Sequence, residues 1–160
     1  MLVLGVDPGT AITGFGVVRQ VGSRLSAVDY GAIRTAAGLA PTERLHQIFT
    51  DVTELLSLHR PDCLAVEKLF FNRNTTTALA VGQARGVVLL AAAQRGIPVR
   101  EYTPQEVKQA VTGQGRAGKG QVGYMVTALL GLPEVPQPDD VSDALAIALC
   151  HLSRRKEHES

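Results

Sequence analysis

Apolar residues along the chain follow two rhythms. Leu2 to Val6 is a short apolar run that stops at Asp7-Pro8-Gly9-Thr10, which predicts a buried strand ending in a turn. Thr13 to Arg19 and Leu25 to Arg34 are rich in Val, Ile, Tyr and Phe. Gly22-Ser23 separates them, so the three segments read as an antiparallel meander. From Pro41-Thr-Glu the rhythm changes to helical, with Leu45, Ile48, Phe49, Val52, Leu55 and Leu56 on one stripe. Cys63-Leu-Ala-Val-Glu67 predicts a short buried strand, Thr75 to Arg95 a long Ala-rich helix closed by Gly96, and Ile97 to Tyr102 another strand. Thr103-Pro104-Gln105-Glu106 is a capping box that opens a helix toward Val111. A glycine-rich loop over 113–120 leads to a helix ending at Gly131. A Pro-rich connector then precedes a final helix from about Asp139 to Arg154.

Strands that alternate with helices after Glu67 imply parallel neighbours, whereas the first three pair antiparallel. The expected fold is α/β, a mixed five-stranded sheet with helices on both faces. No linker or repeat divides the chain, so one domain is expected over residues 1–153, with 154–160 a frayed tail. Hydrophobic residues at 45% and charged residues at 19% describe an ordinary globular balance and exclude a disordered tail, a collagen-like chain and a coiled coil. No signal peptide is expected at Met1-Leu-Val-Leu-Gly-Val, and Gln83 and Arg85 interrupt the longest apolar region, so no membrane span is expected either. Cys63 and Cys150 sit in apolar runs and read as small buried hydrophobes, and the chain is assigned to the cytoplasm. Net charge is only +1, yet residues 60–123 carry nine Lys and Arg against four Asp and Glu. That basic zone is compatible with a polyanionic partner.

Four carboxylates stand out by position. Asp7 and Glu67 end two strands, and ligand sites in open α/β sheets form beyond the carboxyl ends of strands. Asp140 and Asp143, spaced i, i+3, project from one face at the start of the last helix. If that helix docks beside the strand ends, four acids converge, and a hard divalent cation, Mg²⁺ or Mn²⁺, relieves their repulsion. Such a site suits two-metal phosphodiester hydrolysis. Each residue alone has a structural alternative: Asp7 as a turn residue, Glu67 as an exposed strand end, Asp140 and Asp143 as helix-start charges that complement the dipole.

Phe70 and Phe71 follow Glu67 and cannot both face one core from a short loop. One can stack on nucleobases, or staple onto the Thr75 helix. Lys108, Arg116 and Lys119 flank the glycine-rich loop, where cations and backbone amides suit phosphate oxygens; a mobile solvated loop is the alternative. The long helix is apolar beyond one stripe, an excess that fits either a subunit interface or burial on several sides. The four histidines receive no chemical role.

Five segments together resemble one family: Gly5-Val-Asp-Pro-Gly-Thr10, Val66-Glu-Lys-Leu-Phe-Phe71, Gly82-Gln-Ala-Arg-Gly86, Thr103-Pro-Gln-Glu-Val-Lys108 and Asp139-Asp-Val-Ser-Asp-Ala-Leu-Ala146. In this order and spacing, over residues 1–153, the chain resembles the RuvC family of Holliday-junction resolvases, which have the ribonuclease-H-like fold. The resemblance implies Asp7, Glu67, Asp140 and Asp143 as metal-binding catalytic carboxylates and Phe70 as a residue that meets bases at the crossover. It places Lys108 and Lys119 near the scissile phosphates. It further implies a homodimer that nicks two strands of like polarity symmetrically, leaving 5′-phosphate ends, in partnership with the RuvA–RuvB branch-migration machinery. A nuclease of the same fold acting on RNA or an RNA–DNA hybrid is the alternative. A sugar-kinase-like ATPase needs a second phosphate loop that this chain lacks.

Overall fold

The computed structural model describes residues 1–69 and 75–159, so Phe70 and Phe71 lie outside the described residues. The elements run β1 (Leu2–Asp7), β2 (Ile12–Val21), β3 (Arg24–Arg34), α1 (Pro41–His59), β4 (Cys63–Glu67), α2 (Thr75–Gln94), β5 (Val99–Tyr102), α3 (Pro104–Thr112), α4 (Lys119–Leu130) and α5 (Asp139–Glu159). One sheet has the order β3-β2-β1-β4-β5. β1 pairs antiparallel with β2 and parallel with β4, β4 is parallel to β5, and β2 and β3 form the hairpin that Gly22 turns at φ +61°. The expected mixed α/β sheet is therefore present.

Side chains alternate across the strands and divide the core in two. Leu4, Val6, Val17, Leu64 and Val66 face α1 and α2, packing on Ile48, Val52, Leu56, Ala84 and Val88. Val3, Val18 and Ala65 face the other way, onto Val107, Val126 and the α5 residues Leu145, Ala148 and Leu149. Helices cover both faces.

On the second face the sheet presents glycines. A Cβ on Gly5 would overlap the Ala144 carbonyl oxygen, one on Gly14 would overlap the Asp140 carbonyl, and one on Gly16 would press into Leu145. Glycine inside a strand marks such a close backbone approach. It seats the first turns of α5 directly on β1 and β2, which fixes where Asp140 and Asp143 lie.

Two boundaries differ from the sequence expectation. β5 begins at Val99 rather than Ile97, because the Ile97 N–H donates to the Ala92 carbonyl to finish α2 and Pro98 has no N–H to give a ladder. α5 continues past Arg154 to Glu159, and Arg154 itself is tied down by a 2.8 Å ion pair to Glu106 of α3. The capping box forms as read: the Glu106 N–H donates to Thr103 Oγ1 and the Thr103 N–H to the Glu106 carboxylate. Both cysteines are buried free thiols, as their apolar surroundings suggest.

The long helix is buried along one side and exposed along the other. Thr77–Gln94 is long and apolar enough to cross a membrane by length and composition alone. In the fold, Ala84, Val88, Ala91 and Ala92 are buried against the sheet side, and Arg85 reaches Glu101 of β5 at 2.6 Å. Leu79 and Leu90, 63% and 52% exposed, lie with Gln83 and Gly86 on the outer stripe.

Candidate active site

The period of two along the strands decides where the first two acids go. Val3 and Ala65 point toward α5, so Asp7 and Glu67, an even number of residues farther along β1 and β4, point the same way. The pairing of Val6 with Val66 makes their successors leave the sheet side by side. α5, lowered onto Gly5 and Gly14, brings Asp140 and Asp143 to the same sheet end from above. Asp7, Glu67 and Asp143 thus meet at one sheet end, with Asp140 one helical turn away.

Asp7, Glu67 and Asp143 line one cleft of about 370 Å³ together with Lys108, Lys119 and the apolar floor of Val107 and Ile147. Asp140 is half-buried one turn back on α5, outside the cleft lining, but its charge acts on both Asp7 and Asp143. Arg116 is exposed on the loop and does not line the cleft. Phe70 and Phe71, expected to meet bases, fall in the segment that is not described.

The electrostatics are those of carboxylates crowded in a dry place. Burial first, and then the negative charges of Asp143, Asp140 and Glu67, together push the Asp7 carboxyl up to about 7 against the opposing charge of Lys119. Glu67 and Asp143 are also raised, each by burial first; Asp143 adds to the rise at Glu67, and Asp140 adds to that at Asp143. Lys119 is the local countercharge. Its Nζ lies 3.5 Å from Asp143 Oδ2, and that carboxylate is the main reason its own proton is held more tightly. As the first residue of α4, Lys119 places a positive charge against the helix dipole, and Asp143 offsets that placement.

An all-oxygen set of carboxylates suits a hard divalent cation. Among the described residues, however, no three His, Cys, Asp or Glu side chains stand close enough to enclose an ion. The donors fit a metal in kind and in shared location, and closing around one requires their rotamers to converge. Lys119 is the sole cation bonded to any of them among the described residues.

Sequence reading missed two sets of side-chain hydrogen bonds, one beside Asp7 and one between β5 and α5. Thr13 and Thr35 bind the turn after Asp7. The Tyr102 hydroxyl, on the residue paired with Glu67, hydrogen-bonds His151 Nδ1 of α5 at 2.6 Å. A hydroxyl residue at a buried strand position beside a turn is the available signal for Thr13. Nothing local signals Tyr102 and His151, which are 49 residues apart. A larger cavity of about 600 Å³ lies elsewhere, lined by Cys63, Pro98, Arg100 and His151, and holds none of the four acids.

Comparison with known proteins identifies the family. The family model described as crossover junction endodeoxyribonuclease RuvC matches residues 3–151. The chain belongs to the RuvC family. Two relatives named crossover junction endodeoxyribonuclease RuvC illustrate how close the likeness is. The one from Pelotomaculum thermopropionicum is 62% identical over 151 residues, covering 94% of this chain and 92% of the relative. The one from Moorella thermoacetica is 58% identical and covers 99% of this chain and 98% of the relative. The structure of Thermus thermophilus RuvC in complex with a Holliday junction substrate superposes with a TM-score of 0.94 at 41% identity, over 99% of this chain and 96% of that one. The yeast mitochondrial Holliday junction resolvase Ydc2, at TM-score 0.70 and 13% identity, shares the fold. Membership of this DNA-acting, metal-dependent nuclease family sets aside the RNA-acting alternative.

Proposed function

We propose that this RuvC-family chain resolves four-way DNA junctions by hydrolysing one phosphodiester in each of two strands of like polarity, leaving 5′-phosphate and 3′-hydroxyl ends. The observation that carries this reading is the cleft in which Asp7, Glu67 and Asp143 face Lys108 and Lys119, with Asp140 one helical turn away. Acids alone would repel a phosphate and cations alone would only bind it. Both in one cleft make a place where a phosphodiester is held and cut.

Asp7, Glu67, Asp140 and Asp143 would hold Mg²⁺, with Mn²⁺ as a substitute. Two ions at such a site supply an activated water and stabilisation of the departing oxygen. Lys108 and Lys119 draw the strand's phosphate oxygens to the cleft, and Lys119 gives up Asp143 as it does so. Arg116, exposed on the glycine-rich loop, adds a phosphate contact outside the cleft. Phe70 or Phe71, directly after Glu67 in the chain, meets the bases at the crossover. A nuclease domain over residues 1–153 carries this activity in the cytoplasm, where RuvA–RuvB would drive branch migration.

The partner with which it acts is a second copy. A four-way junction has approximate two-fold symmetry, and a C2 dimer offers two equivalent clefts to two equivalent strands. The apolar outer stripe of α2, Leu79 and Leu90 around Gly86, is the surface that suits such an interface.

The test is incubation of purified protein with a synthetic immobile four-way junction in Mg²⁺, in Mn²⁺ and in chelator. Linear duplex and RNA–DNA hybrid serve as controls, with cuts mapped on denaturing gels. Paired symmetric nicks in the junction, absent in chelator, are expected. Metal-dependent cutting of the hybrid in preference to the junction would refute the assignment.

A further inference from the structure

The turn that follows Asp7 is held from the far side of the sheet. Thr13 is fully buried on β2, and its single hydroxyl serves both polar atoms of one residue. It donates to the Gly9 carbonyl at 2.7 Å and accepts from the Gly9 N–H at 3.2 Å. A second hydroxyl works on the next residue: Thr35 Oγ1 donates to the Thr10 carbonyl at 2.5 Å, while the Thr35 N–H donates to the Ala11 carbonyl. The turn is compact as well, because a Cβ on Gly9 would overlap the Ile12 carbonyl. Asp7 itself is paired with Gly14, the residue after Thr13.

Thr13 and Gly14 point to opposite faces. Gly14 admits the Asp140 backbone on the α5 face, and Thr13 fixes the Asp7–Thr10 turn from the α1 face. Two adjacent residues of β2 thus set the relative position of two acids that come from opposite ends of the sequence. Asp7 needs such support more than its neighbours, because its carboxylate is pressed among the charges of three others and accepts no hydrogen bond among the described residues.

We propose that Thr13 is a positioning residue for metal capture: its hydroxyl clamps the Gly9 peptide so that Asp7 meets the ion without reorganising the turn. The proposal rests on the reading of Asp7 as a metal-binding carboxylate. Groups hydrogen-bonded directly to metal ligands typically change metal affinity or activity by about 10- to 100-fold when removed, and Thr13 acts on Asp7 one step farther out, through the Gly9 peptide. Thr13→Val keeps the shape and β-branching of threonine and removes both hydrogen bonds. Thr13→Ser keeps the hydroxyl and loses only the methyl.

Three quantities are measured on full-length protein: Mn²⁺ affinity without DNA by electron paramagnetic resonance, junction affinity in chelator, and the single-turnover cleavage rate at saturating protein. Thr13→Val is expected to bind the junction as the wild type does, while Mn²⁺ affinity and cleavage rate both fall by about 10-fold or more. Thr13→Ser restores both. A Thr13→Val protein with wild-type Mn²⁺ affinity overturns the proposal, as does a Thr13→Ser protein as defective as Thr13→Val. If Thr13→Val does not fold, Thr35→Val removes only the Thr10 anchor and is expected to weaken Mn²⁺ binding in the same direction; unchanged binding there overturns the clamp. A wild-type protein that binds no Mn²⁺, or an Asp7→Asn protein that binds it equally well, would overturn the metal-site reading itself and the clamp with it.

Discussion

The two faces of the sheet are packed by different means. On the α1–α2 face, aliphatic side chains of β1, β2 and β4 interdigitate with Ile48, Val52, Leu56, Ala84 and Val88. That is ordinary side-chain packing, in which a methyl more or less shifts stability and little else. On the α5 face, Gly5 and Gly14 replace side chains with bare backbone, and the helix rests on the strands themselves. Where the first turns of α5 cross Gly5 and Gly14, no side-chain layer separates strand from helix, although Val3, Val18 and Ala65 pack against α5 beside them. The α5 face carries Asp7, Glu67, Asp140 and Asp143, so rigidity of seating and placement of charge coincide. A helix that delivers two acids to two others has to sit where it sits; a helix that only covers a core does not.

The sharpest way to separate the faces is to alter the chemistry and leave the packing alone. Asp7→Asn is expected to reduce junction cleavage by at least the roughly 10²–10³-fold that loss of one transition-state charge contact costs, with junction binding retained. The same change is expected to stabilise the metal-free protein at pH 8. Burial, and then the charges of Asp143, Asp140 and Glu67, push the Asp7 carboxyl from its ordinary 3.8 up to about 7. A raised carboxyl favours the folded state at low pH, and that contribution is lost as pH rises from about 4 through about 7. Thermal melts of metal-free wild type should therefore show a decline across this window that Asp7→Asn reduces. An identical slope in the two proteins would contradict it. Protons compete for the same oxygens, so Mn²⁺ affinity should weaken as pH falls below 7.

Next in size is the seat of the helix. Gly5→Ala places a methyl against the Ala144 carbonyl and is expected to cost about 1–3 kcal/mol by urea denaturation. Cleavage should drop far more than stability, because α5 and its acids are lifted from β1. Retained cleavage would mean that the acids tolerate displacement. On the other face, Leu90→Glu puts a charge on the exposed stripe of α2 and should leave the fold and the cleft intact. Gel filtration should then report a monomer, and paired nicks should become unpaired ones; an unchanged dimer would remove α2 from the interface. Smallest is Ile48→Val in the packed layer, at about 0.5–1.5 kcal/mol with an unaltered cleavage rate.

How legible all this was depended on distance along the chain. Cys63–Glu67 and the Thr103 capping box are local patterns, and they form as read. The place of Asp7 and Glu67 was legible because strand ends in α/β sheets gather ligands, and that of Asp140 and Asp143 because helical spacing puts them on one face. What could not be read was contact between remote segments. Gly5 and Gly14 look like ordinary strand glycines until Ala144 and Asp140 arrive above them, and the Thr13 hydroxyl has no visible purpose until the turn folds back on it. Ile97 looked like a strand residue because its apolar side chain fits one, while its N–H was already committed to the end of α2. The tail past Arg154 looked frayed by composition, yet α5 runs through it, with the Glu106 ion pair at its start.

The central claim is that β1, β4 and α5 assemble one divalent-cation site from four carboxylates. The most direct measurement is anomalous diffraction at the manganese edge from crystals grown with Mn²⁺. The account predicts density bounded by Asp7, Glu67, Asp140 and Asp143, with their side chains converged and Lys119 moved off Asp143. Manganese bound elsewhere on the protein, with these four carboxylates left apart and Lys119 still paired, would contradict it.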